Sequence, residues 1–293
     1  MPHSTRNISL GYALGFLGVV IFGGTLPATV IALASFGPLF IASSRASAAA
    51  IFAVIVLAAR RRRLSRKDLG AVFAAGLMVT FGFPAFSSLA MQTVDASHGG
   101  VVLGMLPLAT AAFAVLLTGE RPGKAFWLWS VIGAALVIWF VLGQDGGGIG
   151  FKPGDLWLLA ASLSAALGYV ILGNLSARMP GWEAICWALV VTAPINFILT
   201  GFLWEDHYLR PAPLSALALA YHALFSMFLG FFAWNAGLAI GGIARVGQVQ
   251  LLQIFVTVAL SAALLGEDIT LRTLLFAAAV SATVWFGRKA RVS

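Results

Sequence analysis

Apolar runs of about twenty residues, broken by short polar or glycine-rich stretches, recur along the whole chain, and that is the length an α-helix needs to cross a bilayer. Measured this way, ten spans emerge: Leu10–Leu33, Pro38–Ala59, Leu69–Met91, Ser97–Leu117, Ala125–Leu142, Leu156–Leu175, Trp182–Leu203, Leu214–Ile240, Val246–Leu265 and Leu271–Gly287. The runs are continuous, without the in-out alternation of barrel strands, which selects helices. Connections are short throughout and leave no soluble domain in which separate chemistry sits. Leu10–Leu33 exceeds a signal h-region and has no clear small-x-small cleavage site, so it reads as the first span.

The pattern also occurs twice. Ala96 to Glu120 has a small-residue start, an apolar run and a Gly119-Glu120 ending; Ile243 to Glu267 repeats it with Gly266-Glu267, 147 positions later. At the same offset, Phe86-Ser87-Ser88-Leu89-Ala90 falls opposite Ala233-Trp234-Asn235-Ala236-Gly237. Five spans per half is an odd number, so the second half must start from the opposite face of the membrane. The expectation is an all-α integral membrane protein of two inverted five-helix repeats, residues 1–143 and 156–293, with an extracytoplasmic linker at 144–155. The linker glycines follow no strand and fit no nucleotide fingerprint, so they read as a flexible connection. On the first span, Gly11, Gly15 and Gly18 form a small-residue face that serves packing or sliding.

Composition agrees. The 293 residues are 60% hydrophobic and 10% charged, whereas a soluble domain carries roughly a quarter charged residues. The net charge of +8 would point to nucleic acid in a soluble protein, but the cations collect in short loops. With the N-terminus inside, Arg6, the Arg60–Arg63 run, Arg66, Lys67, Arg121, Lys124, Arg178, Arg245, Arg288, Lys289 and Arg291 lie on the inner side. Only Lys152, Arg210 and Arg272 lie outside, and Arg45 sits within a span, so both termini are expected in the cytoplasm. The Arg60–Arg63 run reads as a topological anchor rather than a headgroup site. Nucleic-acid binding is excluded on the same ground. A single cysteine, Cys186, permits no intramolecular disulfide, and the scattered histidines give no metal-ligand spacing.

Short motifs then carry a resemblance. Leu106-Pro107 and Leu117-Thr118-Gly119-Glu120-Arg121 bound span four, and Leu265-Gly266-Glu267-Asp268 follows span nine. Ala90-Met-Gln-Thr-Val-Asp-Ala-Ser97 precedes span four, and Gly154-Asp155-Leu156 opens span six. In these motifs and their five-plus-five spacing the chain resembles the drug/metabolite transporter superfamily in its EamA branch. In size and aromatic content it is similar to the YddG-type amino-acid exporters. The resemblance implies a central cavity lined by spans one, three, four, six, eight and nine, open alternately to each side, with spans five and ten peripheral. There are departures: Phe22 stands before Gly23 where the family often has tryptophan, the corresponding aromatic of span six is Ala165 with Tyr169 a turn later, and Ile254, beside Gln253, falls opposite Pro107.

Polar groups at bilayer depth are costly and usually face protein or a wet cavity. On the implied cavity helices they are Thr25, Ser87 with Ser88, Tyr169, Asn174, Asn235, Gln248, Gln250 and Gln253. Pro27 on span one frees a backbone carbonyl that another group must satisfy. An amide donates and accepts at once, which suits a zwitterion; Phe22, Tyr169 and Trp234 offer an apolar or cation-attracting wall. The competing reading of each is an interhelical hydrogen bond or plain packing. Gln250 and Gln253 share a face and Gln248 points elsewhere. Arg45 is expected to snorkel or hold a carbonyl, His222 to be a packed neutral histidine, and Asp95 and His98 to be solvated at an interface loop. No acid lies deep in a span, which points to transport without proton coupling.

The expectation is therefore a multi-pass transporter of the bacterial inner membrane that exports amino acids, aromatic ones among them, or related small metabolites by alternating access. Its expected substrate-binding residues are Phe22, Thr25, Ser87, Tyr169, Trp234, Asn235, Gln248 and Gln253. It has no catalytic residue, metal or cofactor; its partners are a small-molecule substrate and membrane lipid, and it is a monomer or weak homodimer. Nucleosides or drug-like cations, with or without proton coupling, are the alternative cargo. A phosphate cargo would want deep cations on the cavity helices. A receptor, or a membrane enzyme needing a nucleophile, acid pair or metal cluster, stands behind these.

Overall fold

The computed structural model describes residues 5–118, 123–143, 152–176, 178–241 and 247–289, and these are helical with short connections and contain no strand. The linker prediction at 144–151, Glu120, Arg121 and Arg245 lie outside the described residues. The first half comprises α1 (Thr5–Gly23), α2 (Thr25–Leu33), α3 (Pro38–Ala59), α4 (Leu69–Gly76), α5 (Phe83–Ala90), α6 (Ala96–Leu103), α7 (Leu106–Thr118) and α8 (Lys124–Leu142). The second comprises α9 (Pro153–Leu175), α10 (Gly181–Phe202), α11 (Pro213–Tyr221), α12 (Gly230–Gly241), α13 (Gln253–Leu265) and α14 (Leu271–Lys289). Proline opens α3, α9 and α11, where its missing N–H would be unbonded anyway.

Seven helical stretches are long and apolar enough to cross a membrane, and Trp127–Leu142, Val249–Leu265 and Leu271–Gly287 are shorter apolar helices. Ile198, Phe202, Leu217 and Trp139 project outward from the bundle, a surface that suits lipid and not water. The chain is a multi-pass membrane protein.

The predicted spans are not uniform helices. Span three continues from α4 into α5 through a π-helical segment at Leu77–Gly82, and span eight from α11 into α12 through another at His222–Leu229. Span four breaks between α6 and α7, and span nine starts as a 3-10 helix (Gly247–Leu252) before α13. Leu106 opens α7 and Gln253 opens α13, and these are partners at the 147-residue offset.

Packing pairs α1 with α12, α3 with α10 and α8 with α14, while α9 lies against α5 and α7 and α6 against α13. The small-residue face of α1 is a packing face. A Cβ on Gly237 would come within 2.6 Å of Gly15 N and 2.9 Å of Gly11 O, and one on Gly18 within 3.0 Å of Trp234 Cβ. Close backbone approach of this kind is how helices associate in lipid.

Candidate functional site

The site begins where span one is weakened. Pro27 has no N–H, so the Gly23 carbonyl four residues earlier loses its helical donor. Thr257 on α13 replaces it, its hydroxyl donating to Gly23 O at 3.0 Å. Gly23 must be small for this, because a Cβ there would meet Val256 Cγ1 at 2.6 Å. Two residues earlier, the Tyr221 hydroxyl donates to Ile21 O. The middle of span one is thus tied to spans eight and nine.

The π-helical segment at His222–Leu229 adds a second set of contacts. Arg45 is 2% exposed and His222 is fully buried. Arg45 Nη1 lies 2.9 Å from His222 Nδ1, and a guanidinium can only donate. His222 Nδ1 is therefore the acceptor. The Thr29 hydroxyl donates to Thr25 O at 2.9 Å, so its oxygen, 3.2 Å from His222 Nε2, accepts the imidazole hydrogen. The chain of donors fixes the histidine as its Nε2–H tautomer. Thr25 Oγ1 and Ser226 Oγ complete the network at 2.8 Å. Arg45 does not snorkel: its guanidinium turns inward, drawn by the histidine acceptor on the facing segment.

Two adjoining cavities of about 30 Å³ each fill the centre, and both are walled by Phe22, Thr25, Phe83, Leu103, Leu106 and Gln253. One of them also takes in Arg45, Tyr169, Ser226 and Phe231. A volume of that size holds water and nothing much larger. Phe231 is the aromatic hub, with its ring 5.1 Å from Phe22 and 6.4 Å from Tyr169. The wall uses equivalent positions of the two halves, Val79 with Ser226 and Leu106 with Gln253, all lining one cavity. In each pair the second half supplies the polar member. Among the described residues none of α8 or α14 lines either cavity, whereas α3 does so through Arg45.

Of the residues expected at the site, Phe22, Thr25, Tyr169 and Gln253 come together here, with Gln250 beside Gln253 in one cavity. Ser87 is buried elsewhere, its hydroxyl donating to Pro84 O at 3.2 Å. Trp234 packs on Gly18, and Asn235 lies against Gly181 at the start of α10. The side chain of Gln248 lies outside the described residues. Sequence reasoning did not name Ser226, Phe231 or Phe83. Ser226 carried the same signal as Thr25, a hydroxyl at depth, whereas Phe231 and Phe83 sit among other apolar residues without distinction.

A wider space of about 540 Å³ lies at the end of the bundle where α2 meets α3, lined by Val30, Leu33, Gln92, Glu205 and Tyr208 among others. Leu26, Val30 and Leu33 follow one face of α2, so the same helix surface runs from the central cavity to this vestibule. Polar contacts between the halves frame this end. Glu267 accepts from Ala96 N at 2.8 Å and Ser97 N at 2.9 Å, and His98 Nε2 lies 2.7 Å from Asp155 Oδ1. His98 was expected to be solvated; pairing with Asp155 and stacking on Phe140 bury it.

Comparison with known proteins places these features in a family. The model of the EamA-like transporter family matches residues 9–142 and 152–286. The uncharacterized transporter YdeK of Bacillus subtilis (strain 168) is 42% identical over 261 residues, 88% of this chain and 90% of that one. The aromatic amino acid exporter YddG of Ancylobacter novellus is 26% identical over 182 residues, 61% of this chain and 62% of that one. A crystal structure 18% identical in sequence superposes with a TM-score of 0.66 over 94% of this chain and 97% of that one, a likeness of fold.

Proposed function

The chain belongs to the EamA-like transporter family of the drug/metabolite transporter superfamily, and from that membership we propose that it exports amino acids, aromatic ones among them, or related small metabolites. Export proceeds across the bacterial inner membrane by alternating access and without ion coupling. The observation that carries the reading is the mixed wall of the central cavity, with Phe22, Tyr169 and Phe231 aromatic and Thr25, Ser226 and Gln253 polar. That combination matches a small molecule with a charged, hydrogen-bonding end and an apolar end. Arg45 on the same wall repels a cationic cargo. The similarity to an aromatic amino acid exporter supports the same class.

The protonation sites support the absence of coupling. Among the described residues the carboxylates sit at helix ends or in connections, and both nitrogens of the buried His222 are engaged. A proton carrier at bilayer depth needs a group free to gain and lose a proton. In this reading the chain crosses the membrane ten times with both termini inside, as inverted repeats 1–143 and 156–293. The matching π-helical segments and the paired cavity positions support the repeat.

The test is excretion from cells. Cells expressing the protein and fed dipeptides should release one or more of the constituent amino acids several-fold faster than cells without it. Equal release for every amino acid would contradict the proposal.

A further inference from the structure

We propose that Arg45 is the carboxylate-binding residue of the cargo site, so that the transported class is defined by a free carboxylate. The proposal rests on the exporter reading above and deepens it. Arg45 combines three properties. It is a cation buried to 2% exposure, it lines the central cavity, and its Nε has no hydrogen-bond partner. Among the described residues no carboxylate pairs with it, since the acids in close pairs are Asp68, Asp155, Glu183 and Glu205, whose partners are Arg178, His98, Arg62 and His207. An unpaired charge at this depth is costly and marks a place where a counter-charge arrives.

The geometry favours a carboxylate over a single-point anion. A guanidinium offers planar N–H forks that match the two oxygens of a carboxylate. His222 accepts from Nη1 at 2.9 Å and leaves the Nε edge of the fork unbonded. His222 is in turn held by Thr29, which donates onward to the backbone of Thr25. This series of bonds orients the arginine without neutralising it, because every member is uncharged. The Nε is itself buried, so a carboxylate reaches that edge when the walls part, and there it leaves the rest of an amino acid beside Thr25, Ser226 and Gln253, whose oxygens suit an ammonium. Its side chain then lies against Phe22 and Phe231. A purely structural arginine would instead have its donors satisfied by protein.

The test is competition in proteoliposomes holding the full chain. The radiolabelled amino acid taken up fastest among the twenty is the reporter, and its carboxamide and its decarboxylated amine are the unlabelled competitors. The amide and the amine should compete roughly a hundredfold less well than the amino acid, because removing the carboxylate leaves a buried charge unpaired. Arg45→Met should reduce uptake by a similar factor, and Arg45→Lys should restore part of it without the fork. If the amide or the amine competes as well as the amino acid in the wild-type protein, the proposal is overturned while the exporter reading stands. If none of the twenty amino acids is taken up, the exporter reading fails and this assignment falls with it. The competition series needs no variant, so misfolding of an Arg45 substitution cannot decide the outcome.

Discussion

Pro27 removes one N–H from the first span, and the consequence is met on the neighbouring α13 by the Thr257 hydroxyl, 3.0 Å from Gly23 O and 234 positions along the chain. Thr257→Val should leave that carbonyl unsatisfied and cost about 1–3 kcal/mol, read as a lower midpoint of thermal unfolding in detergent. Pro27→Ala in the same background restores the helical donor, so the double variant should recover most of the loss, a coupling that two independent sites would not show. Within the cavity, Thr25→Val and Gln253→Ala should each lower transport about tenfold through lost hydrogen bonds to cargo. Ser87→Ala should leave transport unchanged, because the Ser87 hydroxyl is bonded to Pro84 O and does not line either cavity. The sequence made polar residues at depth visible, because hydropathy isolates them in any apolar run. It left open which of them converge. Thr25 and Gln253 meet at the cavity while Trp234 packs on Gly18, a distinction that depends on helix rotation. Arg45 was visible as a cation within a span; its inward turn depended on His222, 177 positions away.

Helix ends explain the Gly-Glu ending that the repeat made conspicuous. Gly266 terminates α13 with φ of 70°, a left-handed conformation that costs other residues about 1–2 kcal/mol. The turn delivers Glu267 to the first N–H groups of α6, where a carboxylate satisfies unbonded donors and complements the helix dipole. Glu267→Ala should therefore destabilise the protein by about 1–2 kcal/mol, with Glu267→Gln intermediate, measured as unfolding midpoints. A motif can be read from sequence, but its partner cannot, since the α6 start lies 171 positions away. The π-helical segments were likewise hidden. Leu77–Gly82 and His222–Leu229 are as apolar as their flanks, and an extra residue per turn leaves no mark on hydropathy. Such segments concentrate at functional sites, and here both reach the cavity, through Val79 and through Ser226 and Met227.

The two halves meet through polar latches at both ends of the bundle. At the vestibule end these are Glu267 with α6 and His98 with Asp155; at the other end Arg62 pairs with Glu183 at 3.4 Å and Arg178 with Asp68 at 2.9 Å. The proposed alternating access would require each set to part in turn, so Asp155→Asn combined with Glu267→Ala should shift the population toward a vestibule open to the centre. The lone Cys186 is buried, so a cysteine placed at Leu26 in a Cys186→Ser background should label faster in that variant, and an unchanged rate would argue against the latch. The most direct test of the whole account is uptake of radiolabelled amino acids into liposomes holding the purified protein, with and without an imposed pH gradient. Saturable uptake of at least one amino acid, at a rate indifferent to the gradient, is the predicted result. Uptake of none, or uptake only when the gradient is present, would contradict it.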